Sequence, residues 1–211
     1  MIFKLAGTSG SGKSSFVRAA FKLWKFEPVL WRPDKPKIKE YVATVKLGEP
    51  LAGLYKRVVL LGDYSSPCGG MDGVSSKEDR HAMVVRYADR TAENRKTLVL
   101  CEGLLFGGVY GITEGLGVLS ERKESGPWVY AFMDTPLEEC LARCQERRAA
   151  RGVTEPMNPK NTKDKHRSVV CVRERVLTGK NPNQHVYDVD WNLAPAAAFK
   201  RLVKFLEGLP K

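Results

Sequence analysis

Two hydrophobic rhythms alternate along the chain. Ile2 to Ala6 is a short apolar run suited to a buried strand. After a glycine-rich turn, Phe16, Val17, Ala20, Leu23 and Trp24 recur at helical spacing and predict a helix from about Lys13 to Trp24. A proline-rich turn, Arg32 to Pro36, follows. Tyr41 to Leu47 and Tyr55 to Leu61 then read as β-prone segments around Gly48-Glu49-Pro50, either a hairpin or successive strands. Asp63 to Ser76, rich in Gly, Ser and Pro, predicts a loop, and Ser75-Ser76-Lys77-Glu78 has the form of a capping box opening a helix to about Asn94. Thr97 to Cys101 and Trp128 to Met133 are continuous apolar runs of the kind found in buried parallel strands. The first ends in Glu102-Gly103, the second in Asp134-Thr135-Pro136, where Pro136 is placed to open a helix over Leu137 to Ala150. Gly152 ends that helix, Asn158 to Thr162 reads as an ordered loop, and another helix is expected over about Thr162 to Leu177. Val186 to Trp191 predicts a last strand, and Ala196 to Leu206 a last helix with Phe199, Leu202, Val203 and Leu206 on one face. Strands alternating with helices predict an α/β fold with a parallel sheet flanked by helices.

Length and composition narrow the picture. At 211 residues the default is one domain over 1–211. A chain 43% hydrophobic and 28% charged is neither disordered nor membrane-spanning in character, and no apolar run approaches the roughly 20 residues that cross a bilayer. The first strand leaves no room for a signal peptide, so a cytoplasmic location is expected. The five cysteines, Cys68, Cys101, Cys140, Cys144 and Cys171, form no C-x-x-C pair and fit reduced thiols. Cys140 and Cys144, four apart, share a helix face with Leu137 and Leu141, which favours packing over a zinc site. His81, His166 and His185 are isolated from any Ser or Cys partner. The net charge of +11 would attract a polyanion such as nucleic acid, or nucleotide phosphates. Between Arg143 and Arg175, ten basic and four acidic residues leave a local +6, so this stretch is the leading candidate for phosphate contact, against the alternative of a solvated face.

The strongest chemical signal is Gly7-Thr8-Ser9-Gly10-Ser11-Gly12-Lys13-Ser14, a phosphate-binding loop set between an apolar strand and an amphipathic helix. Glycines at 7, 10 and 12 let successive N–H groups face a β-phosphate, with Ser15 closing the segment that would hold ATP. Lys13 should reach the β- and γ-phosphates, and the Ser14 hydroxyl should bind Mg²⁺. Glu102, at the tip of a strand expected beside that loop, could hold Mg²⁺ through water or orient the attacking group; its alternative role is a cap near Gly103. The fold class expected is therefore a P-loop NTPase of nucleoside- or nucleotide-kinase type. A kinase also needs a carboxylate at its acceptor. Asp72 is favoured, because Gly69 and Gly70 let backbone approach a substrate closely; Asp63 is the second choice, and an Asx turn the alternative for both. Arg143, Arg147 and Arg151 recur at four-residue steps with Arg148 beside them, a stripe able to close as a lid over about 143–175, with Arg147 and Arg148 stabilising charge on the transferring phosphoryl group.

With these residues in hand, the chain resembles the bacteriophage 5-hydroxymethyluracil DNA kinases, which phosphorylate the hydroxymethyl group of a modified base within phage DNA. The resemblance rests on the phosphate loop, on Leu61-Gly62-Asp63-Tyr64 with Cys68-Gly69-Gly70-Met71-Asp72, and on Cys101-Glu102-Gly103-Leu104-Leu105. It continues through Asp134-Thr135-Pro136-Leu137, Arg147-Arg148-Ala149-Ala150-Arg151-Gly152 and Asn158-Pro159-Lys160-Asn161-Thr162. Met71 and Gly73 depart from the Gly-Gly-Cys-Asp-Thr form of the family's block. The resemblance implies ATP as donor, a modified pyrimidine in DNA as acceptor with Asp72 beside it, and contact of the Asn161 region with substrate or lid. Asp63 and Tyr64 fall in the same acceptor block, and the enzyme would work in the host cytoplasm. The positive charge agrees with a DNA substrate, and Trp24, Trp31 and Tyr64 could stack on bases or pack in the core. The competing readings are a kinase of a free nucleoside, nucleotide or other small metabolite, and a slow regulatory NTPase.

Overall fold

The computed structural model describes residues 1–34, 39–65, 69–74, 76–88, 91–103, 127–153, 155–178 and 184–209. Cys68, Ser75, Leu104, Leu105 and the Lys35-Pro36 half of the proline turn lie outside them. The described strands are β1 (Ile2–Ala6), β2 (Glu27–Leu30), β3 (Lys39–Thr44), β4 (Arg57–Leu61), β5 (Thr97–Glu102), β6 (Trp128–Met133) and β7 (Gln184–Val189). They form one sheet in the order β2-β3-β4-β5-β1-β6-β7. From β4 to β7 all pairings are parallel. Strand order reverses about β1, which lies between β5 and β6, so the crevice at the C-terminal ends of these strands is where an α/β sheet of this kind binds its ligands.

The other edge departs from a wholly parallel sheet. β3 pairs antiparallel with β4, which decides between the two readings of that region in favour of a hairpin. β2 adds a strand that the hydrophobic pattern does not announce, since all four of its residues are exposed. It exists through backbone pairing with β3, and Pro28 is tolerated because an edge strand has a side that needs no ladder donor.

Five α-helices cover the described sheet: α1 (Lys13–Arg18), α2 (Lys77–Ala88), α3 (Leu137–Ala149), α4 (Lys160–Thr178) and α5 (Pro195–Glu207). α1 is shorter than its sequence pattern suggests and tightens into a 3₁₀ turn at Ala19–Lys22. The Leu23 and Trp24 amides both donate to the Ala20 carbonyl, and the turn delivers Trp24 into the core 5.9 Å from the Phe199 ring. α2 is capped one residue later than expected, with Ser76 Oγ accepting from the Asp79 amide at 3.1 Å; its described part ends at Ala88, and Thr91 to Glu93 are not helical, so it does not reach Asn94 as a continuous helix. α4 begins at Lys160 because Asn158 Oδ1 accepts the Lys160 amide at 2.9 Å and Pro159 supplies the first turn, so Asn161 and Thr162 are helical and not loop. β7 lies two residues earlier than predicted, which leaves Trp191 in the turn after it.

Alternation along β1 sends Phe3 and Leu5 to one face and Ile2 and Ala6 to the other. The first face packs on α1 and α5 through Phe16, Phe199 and Leu202; the second packs on α2 and α4 through Met83, Val84 and Val172. This three-layer arrangement, with the glycine loop leading from the central strand into α1, is that of a P-loop kinase. Among the described residues no helix is long and apolar enough to cross a membrane.

Candidate active site

The loop after β1 is shaped by its glycines and clamped from three sides. Gly10 has φ of +86°, where L side chains are strained, and the Cα of Cys140 on α3 lies 3.0 Å from where a Cβ would stand. Thr135 Oγ1 donates to the Ser11 carbonyl at 2.9 Å, and Thr8 Oγ1 donates to the Thr162 carbonyl of α4 at 3.2 Å. Ser11 Oγ closes the loop on itself by donating to the Thr8 carbonyl at 2.9 Å.

Lys13 is buried, and its ammonium donates to the Gly7 and Thr8 carbonyls at 2.6 and 3.1 Å. Burial pushes its pKa down, while the carboxylates of Glu102 and Asp72 pull it back up. Glu102, 1% exposed at the tip of β5, accepts from Ser14 Oγ at 2.8 Å. Burial raises the Glu102 carboxyl to about 7, against the opposing effects of Lys13 and the Ser14 hydrogen bond. A cation, a hydroxyl and a carboxylate thus meet where β1 and β5 end.

Asp72 reaches the same place by a different route. The chain leaving β4 is pinched by a bridge in which the Gly70 amide donates to the Asp63 carbonyl at 2.6 Å and the Asp63 amide donates to Gly70 at 3.2 Å. Met71 and Val74 are wholly buried on either side of Asp72 and fix its direction. Both carboxylates are pressed against glycines: a Cβ on Gly70 would stand 2.7 Å from Glu102 Oε1, and one on Gly103 would stand 2.8 Å from Asp72 Oδ1.

These groups line a cavity of about 750 Å³. Its sheet-side wall includes Thr8, Ser9, Gly10, Gly12, Lys13, Ser14, Ser15, Gly69, Asp72 and Glu102; across from them stand Arg147, Arg148 and Arg151 of α3 and its exit, with Asn158 and Asn161 of the α4 start. A second cavity of about 410 Å³ lies on the other flank of the loop, lined by Gly12, Arg143, Arg147, Met133, Trp191 and Leu193 among others. The Arg143 guanidinium sits 5.6 Å from the Trp191 ring centroid. The arginine stripe is therefore divided: Arg143 serves the smaller cavity, Arg148 and Arg151 the larger, and Arg147 both.

Of the residues singled out in the sequence, Gly7 and Ser11 shape the loop without lining the larger cavity, and Gly70 stands behind Glu102. Asp63 and Tyr64 do not line it either. Asp63 Oδ1 is engaged by the Ser65 amide at 2.8 Å and hydroxyl at 2.5 Å, an Asx turn. The Tyr64 ring is buried against Phe21 and Tyr41. Trp24 is likewise core, and Trp31 carries the Arg86 guanidinium over its ring at 5.6 Å. Met71, the departure from the family block, is wholly buried, which makes it a packing substitution.

No protein-family model matches the chain. A protein of Pseudomonas phage M6 named 5-hmdU DNA kinase is 27% identical over 195 residues, 89% of this chain and 90% of the relative. A protein of Pseudomonas phage PaMx11 with the same name is 32% identical over 176 residues, 83% of this chain and 84% of the relative. The chain belongs to the 5-hmdU DNA kinase family. It is a phosphotransferase. Among solved structures, a sugar kinase from Janibacter sp. HTCC2649 aligns over 98% of this chain and 94% of its own at 15% identity and a TM-score of 0.46. Deoxyadenosine kinase from M. mycoides aligns over 99% of this chain and 100% of its own at 11% identity and a TM-score of 0.46.

Arg18 and Cys144 also line the larger cavity, the first without a sequence signal of its own and the second read in the sequence as a packing residue. Arg18 stands one turn beyond Ser14, a spacing that could have flagged it once Ser14 was placed in the site, and its charge acts on both Glu102 and Tyr64. Cys144 receives the Arg147 guanidinium at 3.3 Å.

Proposed function

We propose that the protein transfers the γ-phosphate of ATP to the hydroxymethyl group of 5-hydroxymethyluracil in DNA. The observation that carries this reading is the convergence of Lys13, Ser14, Glu102 and Asp72 on one cavity faced by three arginines. In it, the loop amides and Lys13 hold the β- and γ-phosphates, and Lys13 exchanges its bonds to the Gly7 and Thr8 carbonyls for phosphate oxygens. The smaller cavity seats the donor's base, with Trp191 and Arg143 forming its aromatic and cationic walls.

The Ser14 hydroxyl and the Glu102 carboxylate suit Mg²⁺, since both offer hard oxygen and already lie 2.8 Å apart. Ser14 and Glu102 would hold the ion, whose charge would neutralise phosphate and favour the ionised form of Glu102 despite its burial. Asp72, aimed by its buried neighbours, accepts the proton of the acceptor hydroxyl as that oxygen bonds to the γ-phosphorus and ADP departs. Arg147 and Arg148 stabilise the charge spread over the transferred oxygens, as a lid formed by α3, α4 and the segment between them, within a single domain over 1–211.

The family assignment and the +11 charge support DNA as the acceptor. The test is transfer of labelled γ-phosphate from ATP to an oligonucleotide containing 5-hydroxymethyluracil, to unmodified DNA and to free nucleosides. Label confined to the modified oligonucleotide is expected; label in a free nucleoside and none in DNA would identify a metabolite kinase instead.

A further inference from the structure

Arg18 links the larger cavity to a strip of surface outside it. On from Arg18, the 3₁₀ turn that continues α1 carries Lys22 four residues along, and Lys25 follows in the irregular segment beyond the turn; both lysines are exposed. Phe21, between Arg18 and Lys22, leaves 37% of its surface open to solvent. The ring is braced from behind, with centroids 5.0 Å from Phe26, 5.5 Å from Tyr41 and 6.0 Å from Tyr64, all tilted or edge-on. Of this strip, Arg18 itself lines the larger cavity, so the exposed ring stands three residues along the chain from the cavity wall.

We infer that the face formed by Arg18, Phe21, Lys22 and Lys25 holds the single-stranded segment of DNA flanking the target base, with a neighbouring base stacked on Phe21 and its phosphates on the three cations. The inference rests on the reading of DNA as acceptor and adds where the polymer runs. A base whose substituent must reach Asp72 cannot stay in a duplex stack, so the strand on either side is locally unpaired, and its bases need a new partner. An exposed aromatic ring flanked by cations is the sequence-tolerant solution proteins use for that purpose. Arg18 marks where the strand enters the cavity. Glu27, exposed on β2, is the acidic residue nearest in the chain, and the two exposed lysines outnumber it. The positive charge suits the phosphates of a nucleic-acid strand, and the exposed ring suits its bases.

The test is binding of a fluorescently labelled single-stranded oligonucleotide carrying one 5-hydroxymethyluracil, followed by anisotropy over a salt series, with kinase assays on the same oligonucleotide. Replacing two exposed lysines leaves the core untouched, so Lys22→Gln with Lys25→Gln tests the strip without a folding penalty. Its Kd should rise about tenfold at low salt, and the slope of log Kd against log salt should fall by about 1.4, roughly 0.7 for each phosphate that no longer meets a lysine. Phe21→Leu should raise Kd at least about fivefold with the salt slope unchanged, and Phe21→Tyr should restore it. The KM for ATP should stay within about twofold in all three, since the strip touches only the acceptor strand. Wild-type Kd and salt slope in the lysine variant, beside wild-type Kd in Phe21→Leu, would overturn the inference alone if the parent enzyme phosphorylates the oligonucleotide. A parent enzyme that phosphorylates free nucleosides but neither binds nor modifies the oligonucleotide would overturn the DNA reading and this inference together.

Discussion

The two walls of the larger cavity are built on different terms. On the sheet side Lys13 and Glu102 are buried, and Lys13, Ser14 and Glu102 have hydrogen-bond partners within 3.1 Å. On the helical side Arg147 and Arg151 are exposed and Arg148 is half-buried, and the guanidinium contacts of Arg147 and Arg148 go to the Arg143 carbonyl, Cys144 Sγ and the Glu155 carbonyl, none of them a carboxylate. The first wall is preorganised and carries the desolvation cost of its charges permanently. The second leaves Arg147 and Arg151 at the surface, where something negative can draw them in. A phosphoryl-transfer site needs both: fixed dipoles where charge develops, and a side that opens for exchange of substrate and product.

Substitutions should therefore cost most on the fixed wall. Asp72→Asn should lower kcat by about 10²–10⁴-fold, the range for losing a positioned general base, while the KM for ATP changes little. Near-normal turnover would move that role to Glu102. Lys13→Ala should reduce kcat/KM by at least about 10²–10³-fold with an unchanged circular dichroism spectrum, and retention of most activity would sink the phosphate-loop assignment.

The fixed wall should also betray itself through pH. A carboxyl that titrates near 7 when folded and near 4.5 when unfolded holds more protons in the native state between those values. Its stabilising contribution is complete below the unfolded value and is lost as pH rises through 7. The shift is worth at most about 3 kcal/mol, at 1.36 kcal/mol per pKa unit. The Tm of the ligand-free protein should accordingly fall between pH 4.5 and 7.5, and Glu102→Gln should flatten that fall; the same slope in both proteins would contradict the burial argument. On the helical wall Arg147→Ala should cost only about tenfold in kcat, or 1.4 kcal/mol, with no change in the pH dependence of Tm. A loss as large as that of Lys13→Ala would mean that the two walls are equally organised.

What the sequence disclosed and what it hid follow the same division between local and distant. The apolar runs of β1, β5 and β6, the glycine spacing of the loop and the capping chemistry at Pro136 are local signals, and the elements they predict are present. The β2 strand was invisible because nothing about Glu27–Leu30 except its partner β3 makes it a strand. The division of the arginine stripe was equally hidden. Arg143 turns toward Trp191, a residue delivered by the turn after β7, and helical spacing alone assigns Arg143, Arg147 and Arg151 to one face. Tyr64 and Met71 look alike in sequence to residues that touch a substrate, and only the packing of Phe21, Tyr41 and the second core cluster shows their side chains turned inward.

The contact between Gly10 and Cys140 gives the glycine loop a mechanical reach beyond its own length. Cys140 and Arg147 lie on one continuous helix, about two turns apart. With the α3 backbone seated on Gly10 and Thr135 gripping Ser11, the loop cannot widen or narrow around a phosphate without levering that helix. The rod turns a small displacement at its seated end into a larger sweep at its far end, where the arginines stand. On the proposed reading, arrival of a phosphate donor would thereby be geared to how far the guanidinium groups swing over it.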